Sequence, residues 1–108
     1  MYPTEDRGPY TVVTIGPELD ARTAEAAKAF LRELVESGRH RLVLDLSPLS
    51  FIDSSGLSAL VAALKAARAR GGDVRLAGLT PAVRSIVELT RLHRLFAIYD
   101  DVDAATAA

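Results

Sequence analysis

The chain has no cysteine, which removes disulfide frameworks, thiol catalysis and thiolate zinc sites together. It also lacks any excess of charge: 13 Lys and Arg stand against 14 Asp and Glu, a formal net charge of −1. Generic nucleic-acid binding needs a basic surface to neutralise phosphates, so this balance argues against it. No apolar run approaches the ~20 residues of a membrane-spanning helix. Met1 to Tyr10 is polar, holds Pro3 and Pro9, and has no apolar segment of the signal-peptide kind. The expectation is a cytoplasmic protein with no membrane partner. The phosphate-cradling patterns G-x-G-x-x-G and G-x-x-x-x-G-K-[ST] are missing, and so is the G-x-S-x-G nucleophile elbow. Of the two histidines, His40 lies in a basic loop stretch and His93 sits between Leu92 and Arg94. Solvation or capping suits both better than service as a catalytic base. Asp45 and Asp53 lack a third carboxylate at suitable spacing, so no metal is expected.

What remains is a 108-residue chain, 49% apolar and 25% charged, with no internal change of composition. Area scaling allows about two-thirds of the surface of such a chain to be buried, which suits one domain and one core. Short β-branched runs alternate with longer helical stretches. Tyr10 to Ile15 reads as a strand ended by Gly16-Pro17. Asp20 is a candidate cap for a helix whose buried stripe is Ala27, Phe30, Leu31, Leu34 and Val35, and Gly38 suits its left-handed end. Arg41 to Leu46 is a nearly continuous apolar strand, as expected where both sheet faces are covered. Leu57, Leu60, Val61, Leu64 and Ala67 mark a second helix stopped by Gly71-Gly72. Asp73 to Leu79 is a third strand, and Thr80-Pro81 opens a third helix facing inward through Val83, Ile86, Val87 and Thr90. Leu95 to Tyr99 is a last strand, and Asp100-Asp101 suits the cap of an Ala-rich tail helix. Such alternation implies crossover units and a mostly parallel sheet in a single α/β domain.

One segment carries chemistry: Phe51-Ile52-Asp53-Ser54-Ser55-Gly56-Leu57. Two hydroxyls and a carboxylate stand where a strand-exit loop becomes a helix. The first N–H groups of a helix have no internal partners, and the dipole adds partial positive charge there. A phosphate on a serine at that place is stabilised. Plain capping by Asp53, Ser54 or Ser55 accounts for the same residue types. Gly56 sacrifices helix propensity, and on sequence grounds it opens room for another molecule to approach the serines. A hydrolase built on Ser55 lacks a credible base.

From about Thr11 to Asp101 the sequence resembles the STAS-domain family of anti-anti-sigma factors, the anti-sigma factor antagonists. The residues that carry the resemblance are Gly16-Pro-Glu-Leu-Asp20 with Thr23, Leu42-Val-Leu-Asp-Leu46 and Phe51-Ile-Asp-Ser-Ser-Gly-Leu57. Gly71-Gly72 and Thr80-Pro-Ala-Val83 continue the match. The resemblance implies a mixed, mostly parallel sheet packed with helices, and a cycle of partner switching. The unphosphorylated form binds an anti-sigma factor that is also a serine kinase, with ATP bound by that partner, and so releases a sigma factor. The kinase modifies the second serine of D-S-S-G, here Ser55, and a PP2C-type phosphatase reverses it. Asp20, Thr23, Asp53, Ser54, Ser55 and Gly56 are the implied partner-binding positions. The chain itself needs no cofactor and is not an enzyme on this reading. The alternative is a STAS scaffold or complex subunit, in a stress-signalling assembly or a lipid-transport system, that binds partners without a kinase cycle. The family often has a further strand ahead of Tyr10. Here Gly8 and the two prolines leave room for no more than a short edge strand.

Overall fold

The computed structural model describes residues 2–107. Among these residues seven strands and four α-helices follow in the order β1 Thr4–Arg7, β2 Tyr10–Thr14, β3 Glu18–Leu19, α1 Ala24–Glu36, β4 Arg41–Asp45, β5 Phe51–Ile52, α2 Ser54–Ala69, β6 Asp73–Ala77, α3 Pro81–Leu89, β7 Ala97–Tyr99 and α4 Val102–Thr106. The main sheet runs β1-β2-β4-β6-β7, parallel throughout except for β1, which pairs antiparallel with β2. The predicted mixed, mostly parallel α/β architecture is what forms. The open question at the N-terminus resolves as a four-residue edge strand, turned back through Gly8 at φ +62°.

Period-two alternation divides the sheet into two faces. Val13, Ile15, Leu42, Leu44, Val74 and Leu76 point to the large core, where α1 adds Ala27, Leu31 and Val35 and α2 adds Leu57, Leu60, Leu64 and Ala67. Val12, Val43 and Ala77 point the other way and are covered by Ala105 of α4, with Tyr10, Tyr99 and Val102 around them. Coverage on both faces is why Leu42, Val43 and Leu44 are all fully buried.

Several boundaries differ from the sequence reading, each for a local reason. Asp20 does not cap α1. Its carbonyl closes a turn by accepting the Thr23 and Ala24 N–H groups at 3.0 and 2.8 Å, and the helix begins only at Ala24, with Thr23 in the cap position. The last strand is shorter than Leu95 to Tyr99. A 3₁₀ turn over Leu92–Arg94, entered through Arg91 at φ 62°, takes up that segment and leaves Leu95 exposed. Thr90 is exposed rather than inward, its hydroxyl donating to the Ile86 carbonyl at 2.8 Å. The tail helix forms as expected, with Asp101 Oδ1 accepting the Ala104 N–H at 2.8 Å.

Gly72 marks the tightest packing at the strand-entry end of the sheet. A Cβ there would sit 1.8 Å from the His40 carbonyl oxygen. Gly71 beside it faces open space, although its φ is +77°. Gly72→Ala is expected to cost about 3 kcal/mol by forcing backbone apart, and Gly71→Ala about 1 kcal/mol from its left-handed conformation alone. Urea unfolding of the two variants checks the difference.

Candidate functional site

The site is built by a second, two-stranded parallel ribbon beyond the main sheet. β3 pairs with β5 so that Glu18 lies opposite Phe51 and Leu19 opposite Ile52. The next residues, Asp20 and Asp53, are thereby set side by side where the strands end. The ribbon is tied to the preceding loops by the Pro17 carbonyl, which accepts from the Ser50 N–H and hydroxyl at 2.8 and 3.1 Å. The Gly16–Pro17 peptide at its start is cis.

Asp53 joins the two halves of the site. It is the N-cap of α2: Oδ1 accepts the Gly56 N–H at 3.0 Å, while Oδ2 accepts the Ala21 N–H of the β3–α1 loop at 3.1 Å. The capping role is therefore filled by Asp53 and not by either serine. Among the described residues, the Ser54 and Ser55 side chains make no hydrogen bond to the protein. Ser54 is exposed and Ser55 is half-buried. Ser55 lines a shallow recess of about 210 Å³ between α1 and α2, together with Ala21, Glu25, Lys28 and Ser58. The N–H groups of Ser54 and Ser55 occupy the first helical turn, where no intrahelical acceptor exists.

Asp20 is almost wholly buried, and its carboxylate is held by Arg22. The Arg22 N–H donates to Oδ1 at 2.9 Å, and the guanidinium donates from Nη2 to Oδ2 at 3.1 Å and to Glu18 Oε2 at 2.9 Å. Thr23 completes the loop, its hydroxyl oxygen accepting the Asp20 N–H at 3.0 Å. The Arg22 guanidinium beside Asp20 holds its carboxyl below the usual carboxylate range. Burial opposes this, and the Arg22 N–H assists it. Sequence reading missed Arg22, although its i,i+4 spacing from Glu18 was visible. It missed Phe51 as well, whose ring is half-exposed just ahead of the two serines. Asp45, weighed as a metal partner of Asp53, accepts the Ser47 N–H at 3.0 Å instead.

The reading of Gly56 is corrected. The residue is buried, and a Cβ on it would stand 2.2 Å from the Leu19 carbonyl oxygen and 2.8 Å from Ile52 Cγ1. The glycine lets α2 close on the ribbon of its own chain rather than leaving space for another molecule. The two histidines lie away from the serines, His40 at the strand-entry end of the sheet and His93 in the 3₁₀ turn.

Comparison with known proteins places the fold in a family. The STAS domain family model matches residues 2–105, and the chain belongs to that family. The anti-sigma F factor antagonist of Paenibacillus polymyxa is 29% identical over 97 residues, 88% of this chain and 83% of that protein. An anti-sigma-B factor antagonist of Staphylococcus aureus is 25% identical over 100 residues, covering 93% and 91%. The crystal structure of an anti-sigma factor antagonist from Mycobacterium paratuberculosis superposes with a TM-score of 0.86 at 30% identity, covering 97% and 89% of the two chains. Within the STAS family, the chain stands with the anti-sigma factor antagonists.

Two outcomes follow from the geometry. Gly56→Ala should lower stability by about 2–3 kcal/mol through overpacking, despite ~1 kcal/mol of gained helix propensity; chemical denaturation measures the net. The second concerns acid. Because the folded-state pKa of Asp20 is depressed, its contribution to stability is complete above the unfolded value near 3.8 and is lost as pH falls through the folded value. Arg22→Gln should raise the carboxyl titration midpoint of Asp20 toward 3.8, read by carbon NMR, and flatten the acid limb of the stability curve.

Proposed function

We propose that the chain is a phosphorylation-switched binding module: its unmodified form binds an anti-sigma factor, and phosphate on Ser55 ends that binding. The observation that carries this reading is the division of labour at the start of α2. Asp53 satisfies the Gly56 N–H and pins the neighbouring loop, so the Ser55 hydroxyl is left without a structural task. A capping serine would be costly to modify; a serine freed of capping is not. The first-turn N–H groups and the helix dipole then offer a phosphate its local stabilisation.

The binding rim in this reading consists of the loop from Asp20 to Thr23, the Asp53–Ser55 segment and the ring of Phe51. Exposed aromatics of this kind supply apolar contact at the centre of interfaces. Asp20 and Thr23 act by shaping the loop, since their polar atoms are used within it. Gly56 acts by letting α2 seat against Leu19. The partner of this class is an anti-sigma factor that is a serine kinase carrying its own ATP, with a PP2C-type phosphatase restoring the binding form. A phosphoserine brings about −1.5 to −2 charges beside the Asp53 carboxylate, at a rim where Arg22 is already engaged by Glu18 and Asp20. Desolvation and like-charge repulsion then oppose association without any change of fold.

The test is a pair of substitutions with opposite outcomes. Ser55→Ala should bind the anti-sigma partner as wild type does. Ser55→Asp should bind at least ~1.4 kcal/mol more weakly, a factor of ten, while melting near the wild-type temperature, because an acidic residue is tolerated in the first helical turn. Calorimetric titration of both against one partner gives the order. Equal affinities would show that charge at this position does not control association.

A further inference from the structure

The end of the sheet opposite the serines holds a recess that partner switching does not use. Its volume is about 220 Å³, and Tyr10, Arg41, Gly71, Gly72, Asp73 and Arg75 line it. Arg75 is fixed there by three independent contacts. Its guanidinium lies 4.6 Å from the Tyr10 ring centroid and 5.3 Å from that of Tyr99, and Nη1 donates to the Ala105 carbonyl at 2.8 Å. Aromatic faces hold a cation but accept no N–H bond in the plane of the guanidinium. Among the described residues, Arg75 has no carboxylate partner, and the Arg41 side chain has neither an ion pair nor a hydrogen bond. Asp73 is the one acidic group on the recess wall among the described residues, and Arg68 Nε pairs with it at 3.3 Å. The recess therefore carries a surplus of positive charge, one guanidinium of which is already ordered.

From this cluster we infer a binding site for a small hydroxylated phosphate monoester. Two guanidiniums present paired donors that match the spacing of phosphate oxygens. Arg75 loses little freedom on binding, because the two tyrosines and the Ala105 carbonyl have already ordered it. The Asp73 carboxylate, partly neutralised by Arg68, is placed to accept from a ligand hydroxyl. The volume equals that of roughly seven water molecules, which suits a phosphate with a short carbon chain. The backbone N–H groups of Gly71, Gly72 and Asp73 are spent on the Arg68, Ala67 and His40 carbonyls, so side chains alone recognise the anion.

The experiment is an amide and arginine side-chain NMR titration of the full chain. Glycerol 3-phosphate is the probe, with inorganic phosphate and glycerol as the two comparison arms. Saturable shifts at Gly72, Asp73 and the Arg75 Nε–H, tighter for glycerol 3-phosphate than for inorganic phosphate and absent with glycerol, are expected. Equal affinity for inorganic phosphate would overturn the monoester assignment. Arg41→Gln, an exposed substitution remote from the core, should weaken binding by about tenfold or more while leaving the rest of the spectrum unchanged. Arg75→Lys keeps the charge and loses the fork, and should weaken binding as well. If no saturation occurs by about 50 mM ligand, if Arg41→Gln binds as wild type, or if the shifts gather at Ser54 and Ser55, the assignment fails.

Discussion

The Asp53 carboxylate is the contact on which the site depends. One oxygen closes the first turn of α2 and the other holds the Ala21 N–H, so a single side chain fixes both the helix and the loop that flanks it. Each hydrogen bond to an ionised acceptor contributes about 1.5–3 kcal/mol. The positional effect is larger than the energetic one. Without Asp53, the first turn of α2 would lose its cap and the β3–α1 loop its anchor on α2. Gly56 serves the same end from within, since its missing side chain lets α2 reach the Leu19 carbonyl. Carboxylate and glycine together set a free hydroxyl on a rigid base.

Much of the architecture was visible in residue spacing. The doubly covered strand at Leu42–Leu44, the stripes of α1 and α2, and the Thr80-Pro81 helix start all follow from local chemistry, and they formed as local chemistry predicts. The two-residue strands β3 and β5 were not legible, because two residues carry no periodicity and their pairing is wholly tertiary. That ribbon is what brings Asp20 to Asp53. Gly56 was misread for the same reason: its obstacle is the Leu19 backbone, distant in sequence and invisible to any local rule. Asp20 was misread as a helix cap because Asp before an apolar stripe is the usual signal. Here Arg22 draws the carboxylate into a turn of its own.

A net charge of −1 covers local clusters of either sign. Where the strands end, Asp45, Asp100, Asp101 and Asp103 line one shallow basin, and Glu18, Asp20 and Asp53 stand on the neighbouring ribbon. Where the strands begin, Arg39, His40 and Arg41 share a second basin with Asp6 and Thr11. Ion pairs neutralise part of each cluster: Arg7 with Asp103, Arg22 with Glu18 and Asp20, and Arg39 with Asp6. A partner approaching through an interface of complementary sign is oriented before contact, which raises the rate of productive encounter more than the final affinity.

The antiparallel β1 hairpin has a consequence for handling the protein. Thr4 lies opposite Val13, the Thr14 N–H donates to the Pro3 carbonyl at 2.9 Å, and the Tyr2 ring meets Phe30 of α1 edge-on, so this segment is fastened to both β2 and α1. After β7 the chain turns, and α4 runs back across the sheet until Ala105 meets Arg75. Trimming the chain back to Tyr10 would uncover the edge of β2 and the ring of Phe30 together, so a tag is better added to β1 than put in its place.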